Sequence, residues 1–219
     1  MQAITTENLI KTLKEHNLST SFTNKLKIVY RPYICPFDKL LAQIPPKSKV
    51  FDIGCGSGMF LFLVGEFCSP TLLGGIEIRE ELVKNAKILL NKFQIENETS
   101  IALSIYDGKN IPSNIKNYDV LVMLDVLHHI PKSMQEAFLV QIYEKMQVGA
   151  KFIFKDIDAG QPFWCTFNKI HDLVFSQEIG NEWTCDSFIE KAKNIGFKIE
   201  TTHKQRTFVY PHYTVVMTK

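Results

Sequence analysis

Val50-Phe51-Asp52-Ile53-Gly54-Cys55-Gly56-Ser57-Gly58 decides the fold. A short apolar run leads straight into three alternating glycines and then into the apolar stretch Met59–Phe67. That is a buried strand, a tight turn and a helix, the unit with which an open α/β sheet grips a cofactor. A dinucleotide fingerprint would be G-x-G-x-x-G. Here the third glycine comes one residue early, and Met59 stands where it would fall. The pattern is D-x-G-x-G-x-G, with an acid two residues before the first glycine.

Outward from that turn, strand-like and helix-like patterns alternate, as in a parallel sheet covered by helices. Strands are expected at 49–53, 71–76, 99–104, 119–124 and 151–156. Helices are expected at 60–67, 80–93, 134–146 and 185–195. Leu82, Ala86, Leu89, Leu90 and Phe93 recur at helical spacing. Gly149 and Gly196 follow two of these segments as helix stops. Two last β-rich segments, 197–202 and 206–218, are too close for a parallel crossover and predict an antiparallel hairpin. Pro211, beside His212, predicts an edge strand or a bulge there. The fold class is therefore α/β: a Rossmann-like, seven-stranded, mostly parallel sheet ending in an antiparallel hairpin, with helices on both faces.

Two segments fall outside the repeat. Residues 1–48 predict an N-terminal helical lid, with the proline-punctuated run Arg31-Pro32-Tyr33 near its end. Residues 49–219 form the main domain, interrupted by an aromatic insertion at 159–183 that carries both tryptophans, Trp164 and Trp183.

The 219 residues suit one domain with an appendage, and 45% hydrophobic with 22% charged residues is ordinary for a soluble globular chain. Twenty-five Lys and Arg against 23 Asp and Glu leave no basic footprint for nucleic acid. Five cysteines without a C-x-x-C pair argue against a disulfide framework and a zinc site. They fit reduced thiols in a cytoplasmic protein. The first sixteen residues lack the apolar core of a secretion signal, and no apolar run is long enough to span a bilayer.

The motif resembles that of class I S-adenosylmethionine (SAM)-dependent methyltransferases, and the resemblance covers Val50–Asp158 best. It implies SAM as cofactor and S-adenosyl-L-homocysteine as product. It also implies a cofactor site built from Asp52, Gly54, Cys55, Gly56 and Gly58 at the turn. Glu77, at the end of the second strand, would hold the ribose, with Ile78 beside it. Asp107, after the third strand, would meet the adenine. The backbone at Leu124, after the fourth, would face the methionine moiety. Asp125-Val126-Leu127-His128-His129-Ile130-Pro131 matches a run frequent in small-molecule members of the family.

Methyl transfer from a sulfonium needs alignment and exclusion of water. A hydroxyl acceptor also benefits from a base that removes its proton. His128 and His129 follow strand four and titrate near neutrality, so they are the candidate bases. Asp156, with Asp158 nearby, ends strand five at the floor of the expected acceptor site. His171 and His212 are further histidine candidates, and Arg31 or Tyr33 could meet a carboxylate. Some quinone-biosynthesis relatives carry a metal motif, E-x-x-E-H, after strand four. Asp125, His128 and His129 match it only in part, and no metal is expected.

The function expected is transfer of a methyl group to a small molecule, at a hydroxyl of an apolar or aromatic acceptor. Alternatives are N- or C-methylation, or a catalytically silent SAM-binding scaffold. Nucleic-acid amino methylation would call for Asp/Asn-Pro-Pro-Tyr/Phe where Asp125-Val126-Leu127-His128 stands. Oligomeric state is not readable from the chain.

Overall fold

The computed structural model describes residues 3–16, 29–96, 99–161, 164 and 180–219. Seven strands are ordered β3-β2-β1-β4-β5-β7-β6, and helices alternate with them along the chain. The fold is the Rossmann-like α/β architecture expected. The chain divides into two compact units, residues 1–108 and 109–219.

In the first unit, α1 (Thr6–Glu15) is capped by Thr5, whose hydroxyl accepts the Asn8 N–H. Residues 29–34 are helical, and the short α2 (Phe37–Leu41) follows. β1 (Lys49–Ile53) pairs in parallel with β2 (Leu72–Glu77), and β2 with β3 (Ser100–Ile105). Between β1 and β2 runs α3 (Met59–Cys68), buried along nearly its whole length. Glu66 is its lone carboxylate, and it pairs with Lys92 of α4 (Glu80–Glu96). Gly54, Gly56 and Gly58 all take positive φ (78°, 54° and 81°). At Gly58 a side chain would also collide with α4, since its Cβ would lie 2.9 Å from that of Ala86.

In the second unit, β4 (Val120–Leu124) pairs in parallel with β5 (Lys151–Ile157). β7 (Tyr210–Thr218) pairs antiparallel with both β5 and β6 (Lys198–Thr207). α5 (Lys132–Lys145) and α6 (Cys185–Ile195) complete it. Phe154 stacks on Phe188 of α6 at 3.9 Å between ring centres, and Tyr213 lies 5.7 Å from Phe154.

The final hairpin turns later than the sequence predicts. His203-Lys204-Gln205 pairs with residues 212–214 of β7 rather than forming the turn. The turn is at Phe208-Val209, with Phe208 at φ 59° and exposed. β6 is an edge strand with one face open to water, so its polar run is compatible with a ladder. Pro211 is likewise not on an edge strand, because β7 lies between β5 and β6. It is tolerated as the second residue of β7, beyond the last β5 pair, Ile157 with His212. The one register irregularity recorded in this ladder is at Ile199/Thr201.

Candidate active site

The first unit carries a braced glycine turn. The N–H groups of Gly54 and Cys55 both donate to the Ile76 carbonyl, at 2.8 and 3.0 Å. The Gly56 N–H donates to Glu77 Oε2 at 3.1 Å, and the Arg79 N–H to Glu77 Oε1 at 3.0 Å. One buried carboxylate thus ties the turn to the end of β2. Each of its oxygens has a second lone pair beyond these bonds, which two vicinal hydroxyls could use.

Asp52 is buried beneath the same turn. Burial first, and then the Glu77 charge, push its carboxyl up to about 7, against an opposing pull from Arg31. Arg31 therefore exerts its charge on this turn. Burial, reinforced by the Asp52 and Glu77 charges, also pushes the Cys55 thiol far up, so it stays protonated. Ile78 is 62% exposed, and its Cδ1 flanks Gly108 in the turn after β3. Asp107 is exposed in that turn. An apolar side chain and a carboxylate thus stand near one another at the ends of β2 and β3. Tyr33 is exposed and stacked on Tyr30.

The second unit carries two acid–base pairs. Leu124 is half-buried at the end of β4. Asp125 follows it at φ 56°, and its carboxylate meets the ammonium of Lys155 at 2.5 Å. The Asp125 N–H also donates to the Lys155 carbonyl. Leu127–His129 then forms a 3-10 turn. His128 is 3% exposed, and its Nδ1 lies 2.5 Å from Asp156 Oδ1. The same oxygen accepts the Ile157 N–H at 2.8 Å. Asp156 also raises the Tyr213 hydroxyl, next in rank to burial, so Tyr213 stays protonated.

Of the candidate bases, the structure seats His128 on Asp156 and leaves His129 exposed, with the two rings 4.1 Å apart. Asp158 does not join them. Its Oδ1 accepts the N–H groups of Gly160 and Cys185, at 2.9 and 3.1 Å, and so ties the exit of β5 to the start of α6. His212 is buried and paired in register with Ile157. His171 lies outside the described residues. Among the described residues no cluster of three or more His, Cys, Asp or Glu could hold a metal. Among them, too, no helix is long and apolar enough to cross a membrane.

Three residues escape the sequence reading: Lys155, Gln135 and Glu182. A signal existed for Lys155, a lysine inside the apolar run Phe152-Ile153-Phe154 and Ile157. Gln135 and Glu182 carry none, because their burial is set by residues distant in sequence.

An α/β sheet with a D-x-G-x-G-x-G turn braced by an acid at the end of β2 defines the class I SAM-dependent methyltransferase architecture, whose cofactor is SAM. The chain belongs to the methyltransferase domain family, whose model matches residues 27–202. It is 25% identical over 134 residues to the carboxy-S-adenosyl-L-methionine synthase of Campylobacter fetus, covering 57% of this chain and 53% of that protein. A tRNA (guanine-N(7)-)-methyltransferase of Prochlorococcus marinus is 29% identical over 142 residues, covering 57% and 68%. The chain spans about half the length of the carboxy-S-adenosyl-L-methionine synthases it matches. Among solved structures, magnesium protoporphyrin IX methyltransferase from Synechocystis with bound S-adenosyl-L-homocysteine superposes with a TM-score of 0.68. The identity is 18%, over 97% of this chain and 94% of that one. A SAM-dependent methyltransferase from Aquifex aeolicus gives 0.63 at 15% identity, over 95% and 97%. These likenesses show the fold.

Proposed function

We propose that the chain transfers the methyl group of SAM to a hydroxyl of a small apolar or aromatic molecule, with His128 as general base. The acceptor oxygen attacks the methyl carbon, the carbon–sulfur bond breaks, and neutral S-adenosyl-L-homocysteine leaves. The hydroxyl proton passes to Nε2 of His128. The observation that carries this reading is the 2.5 Å contact between His128 Nδ1 and Asp156 Oδ1. A carboxylate there favours the proton on Nδ1 and orients the ring, the tautomer in which Nε2 is the basic nitrogen. His129 beside it is a lesser candidate for the same role.

Cofactor binding falls to Asp52, Gly54, Cys55, Gly56 and Gly58, with Glu77 on the ribose, Ile78 and Asp107 on the adenine, and Leu124 on the methionine moiety. Glu77 supports the assignment because its oxygens keep acceptor capacity while bracing the turn. Residues 1–48 serve as a lid in this reading, 49–219 as the catalytic domain, and 159–183 as the acceptor-facing insertion. The protein works in the cytoplasm.

A second reading, methylation of RNA, is favoured by the match to the Prochlorococcus tRNA methyltransferase. A net charge of only +2 favours the small acceptor, because phosphate contacts require basic surface. Calorimetric titration with SAM and with NAD comes first, followed by methyl-transfer assays on phenolic and hydroxylated compounds beside tRNA. SAM binding without an NAD response, with turnover on a phenol or alcohol, supports the first reading. Methylation of tRNA alone selects the second. Binding without turnover on any acceptor selects a scaffold role.

A further inference from the structure

Gln135, near the start of α5, is completely buried. Its Nε2 lies 3.0 Å from the Leu127 carbonyl, 2.9 Å from that of Ile130 and 3.0 Å from that of Asn181. Two of these carbonyls bracket the turn that carries His128. The third belongs to residues 180–183, which approach His128 through Asn181 and Gly180. There the Asn181 N–H donates to the His128 carbonyl at 2.8 Å. Gly180 makes the approach possible, since a Cβ on it would stand 3.2 Å from His128 Cδ2 and 2.6 Å from Glu182 Oε1. Gln135 Oε1, meanwhile, is buried with no hydrogen-bond partner among the described residues.

A buried amide whose two N–H groups are shared among three carbonyls, while its own oxygen has no partner among the described residues, is an expensive way to fill space. A methionine would fill the same volume with no unmet oxygen of its own, but it would take the donor away from all three carbonyls. What the glutamine adds is a fixed link between the His128 turn and residues 180–183. The imidazole is held by Asp156, and the backbone on both sides of it is held through Gln135 and Asn181.

We propose that Gln135 is a positioning residue. It holds the Leu127–Ile130 turn so that His128 meets Asp156 with its proton on Nδ1, and it ties residues 180–183 to that geometry. The proposal rests on the reading of His128 as the base, but its test does not depend on activity. The full chain is labelled with 15N-histidine, and the His128 signals are assigned by their loss in His128→Asn. The nitrogen shifts report which ring nitrogen carries the proton. In the parent, His128 is expected as the Nδ1–H tautomer. In Gln135→Met, with SAM affinity unchanged, the signals are expected to move toward the averaged shifts of a free imidazole. The acid limb of kcat against pH should move with them, and kcat should fall by roughly tenfold or more at an unchanged KM.

Gly180→Ala provides a second variant that presses on the same ring without touching Gln135, and the same change is expected there. Should Gln135→Met fail to fold, Gly180→Ala together with Gln135→Asn carries the test. Unchanged His128 signals in a folded Gln135 variant overturn the proposal. Altered signals with an unchanged rate uphold it and remove His128 from catalysis instead.

Discussion

Lys155 and Asp156 are consecutive on β5, and their side chains leave the sheet on opposite faces, Lys155 to Asp125 and Asp156 to His128. Alternation along a strand makes this unavoidable. The end of β5 therefore supplies two buried pairs that do not share a face. Phe154 and Tyr213 accompany Asp156 on one side, and Thr214 is the register partner of Lys155 on the other. The acids after strand four and in strand five look like one cluster in the sequence. The pleat divides them between a candidate base and a structural ion pair.

That ion pair should respond asymmetrically to substitution. Lys155 is 0% exposed, whereas the Asp125 side chain keeps 16% exposure. Asp125→Asn strands an ammonium in the interior, a loss on the order of 3–5 kcal/mol. Lys155→Met replaces the alkyl stem with one of similar length and leaves a carboxylate that can reach water. Its cost should be smaller by about 2 kcal/mol or more. Urea denaturation of both variants measures the difference, and equal losses would show that Lys155 is not held by Asp125.

Glu77 should be needed for cofactor affinity. Glu77→Ala removes an acceptor for hydroxyls and the brace on the Gly56 N–H. SAM binding should weaken by about 1–3 kcal/mol, the loss of a hydrogen bond to a charged group. Titration calorimetry reads this directly. Unchanged affinity in a folded variant would exclude the ribose role.

How much of this was legible follows from the range of each interaction. The glycine turn declares itself because the glycines, the preceding acid and the following apolar helix are contiguous. The strands buried in the sheet, β1, β2, β4 and β5, are legible for the same reason. The hairpin turn is not, because His203-Lys204-Gln205 has loop composition and only its pairing with β7 makes it strand. Asp156 and Asp158 look equivalent in sequence and lie on the same side of the alternation. Only the folded chain reveals that one holds a histidine 28 residues away while the other holds the Gly160 and Cys185 N–H groups. Gln135 was invisible for the same reason, since its partner Asn181 is 46 residues distant.

Asp52 should give the protein a pH-dependent stability. Burial raises its folded pKa to about 7, above the ordinary aspartate value of 3.8. A raised pKa means the folded state holds the proton more tightly, so the contribution is complete below about pH 4. It is then lost as pH rises toward and through 7. The full shift corresponds to about 4 kcal/mol. Asp52→Asn should flatten this fall, gaining stability relative to the parent at pH 8 and little at pH 4. Arg31→Gln should steepen it, because the Arg31 charge opposes the rise of the Asp52 pKa. Urea denaturation at pH 4, 6 and 8 compares the three. Parallel curves for parent and Asp52→Asn would mean that Asp52 is not penalised by its burial.

The role of His128 should separate cleanly from cofactor binding. A positioned general base contributes about 10²–10⁴ in rate. His128→Ala should therefore lower kcat by that order on a hydroxyl acceptor, with SAM affinity nearly intact. Asp156→Asn should come close to the same loss. An amide can accept from Nδ1–H only through its oxygen, carries no charge to stabilise the imidazolium, and can turn the ring to the wrong tautomer. His129→Ala, at the exposed neighbour, should cost far less. The comparison is sharpest on acceptors of graded acidity. A phenol bearing an electron-withdrawing group is ionised without help at pH 8, so its methylation should be nearly indifferent to His128→Ala, while an aliphatic alcohol should show the full loss. If the variant loses equally on both, His128 shapes the pocket and does not take the proton.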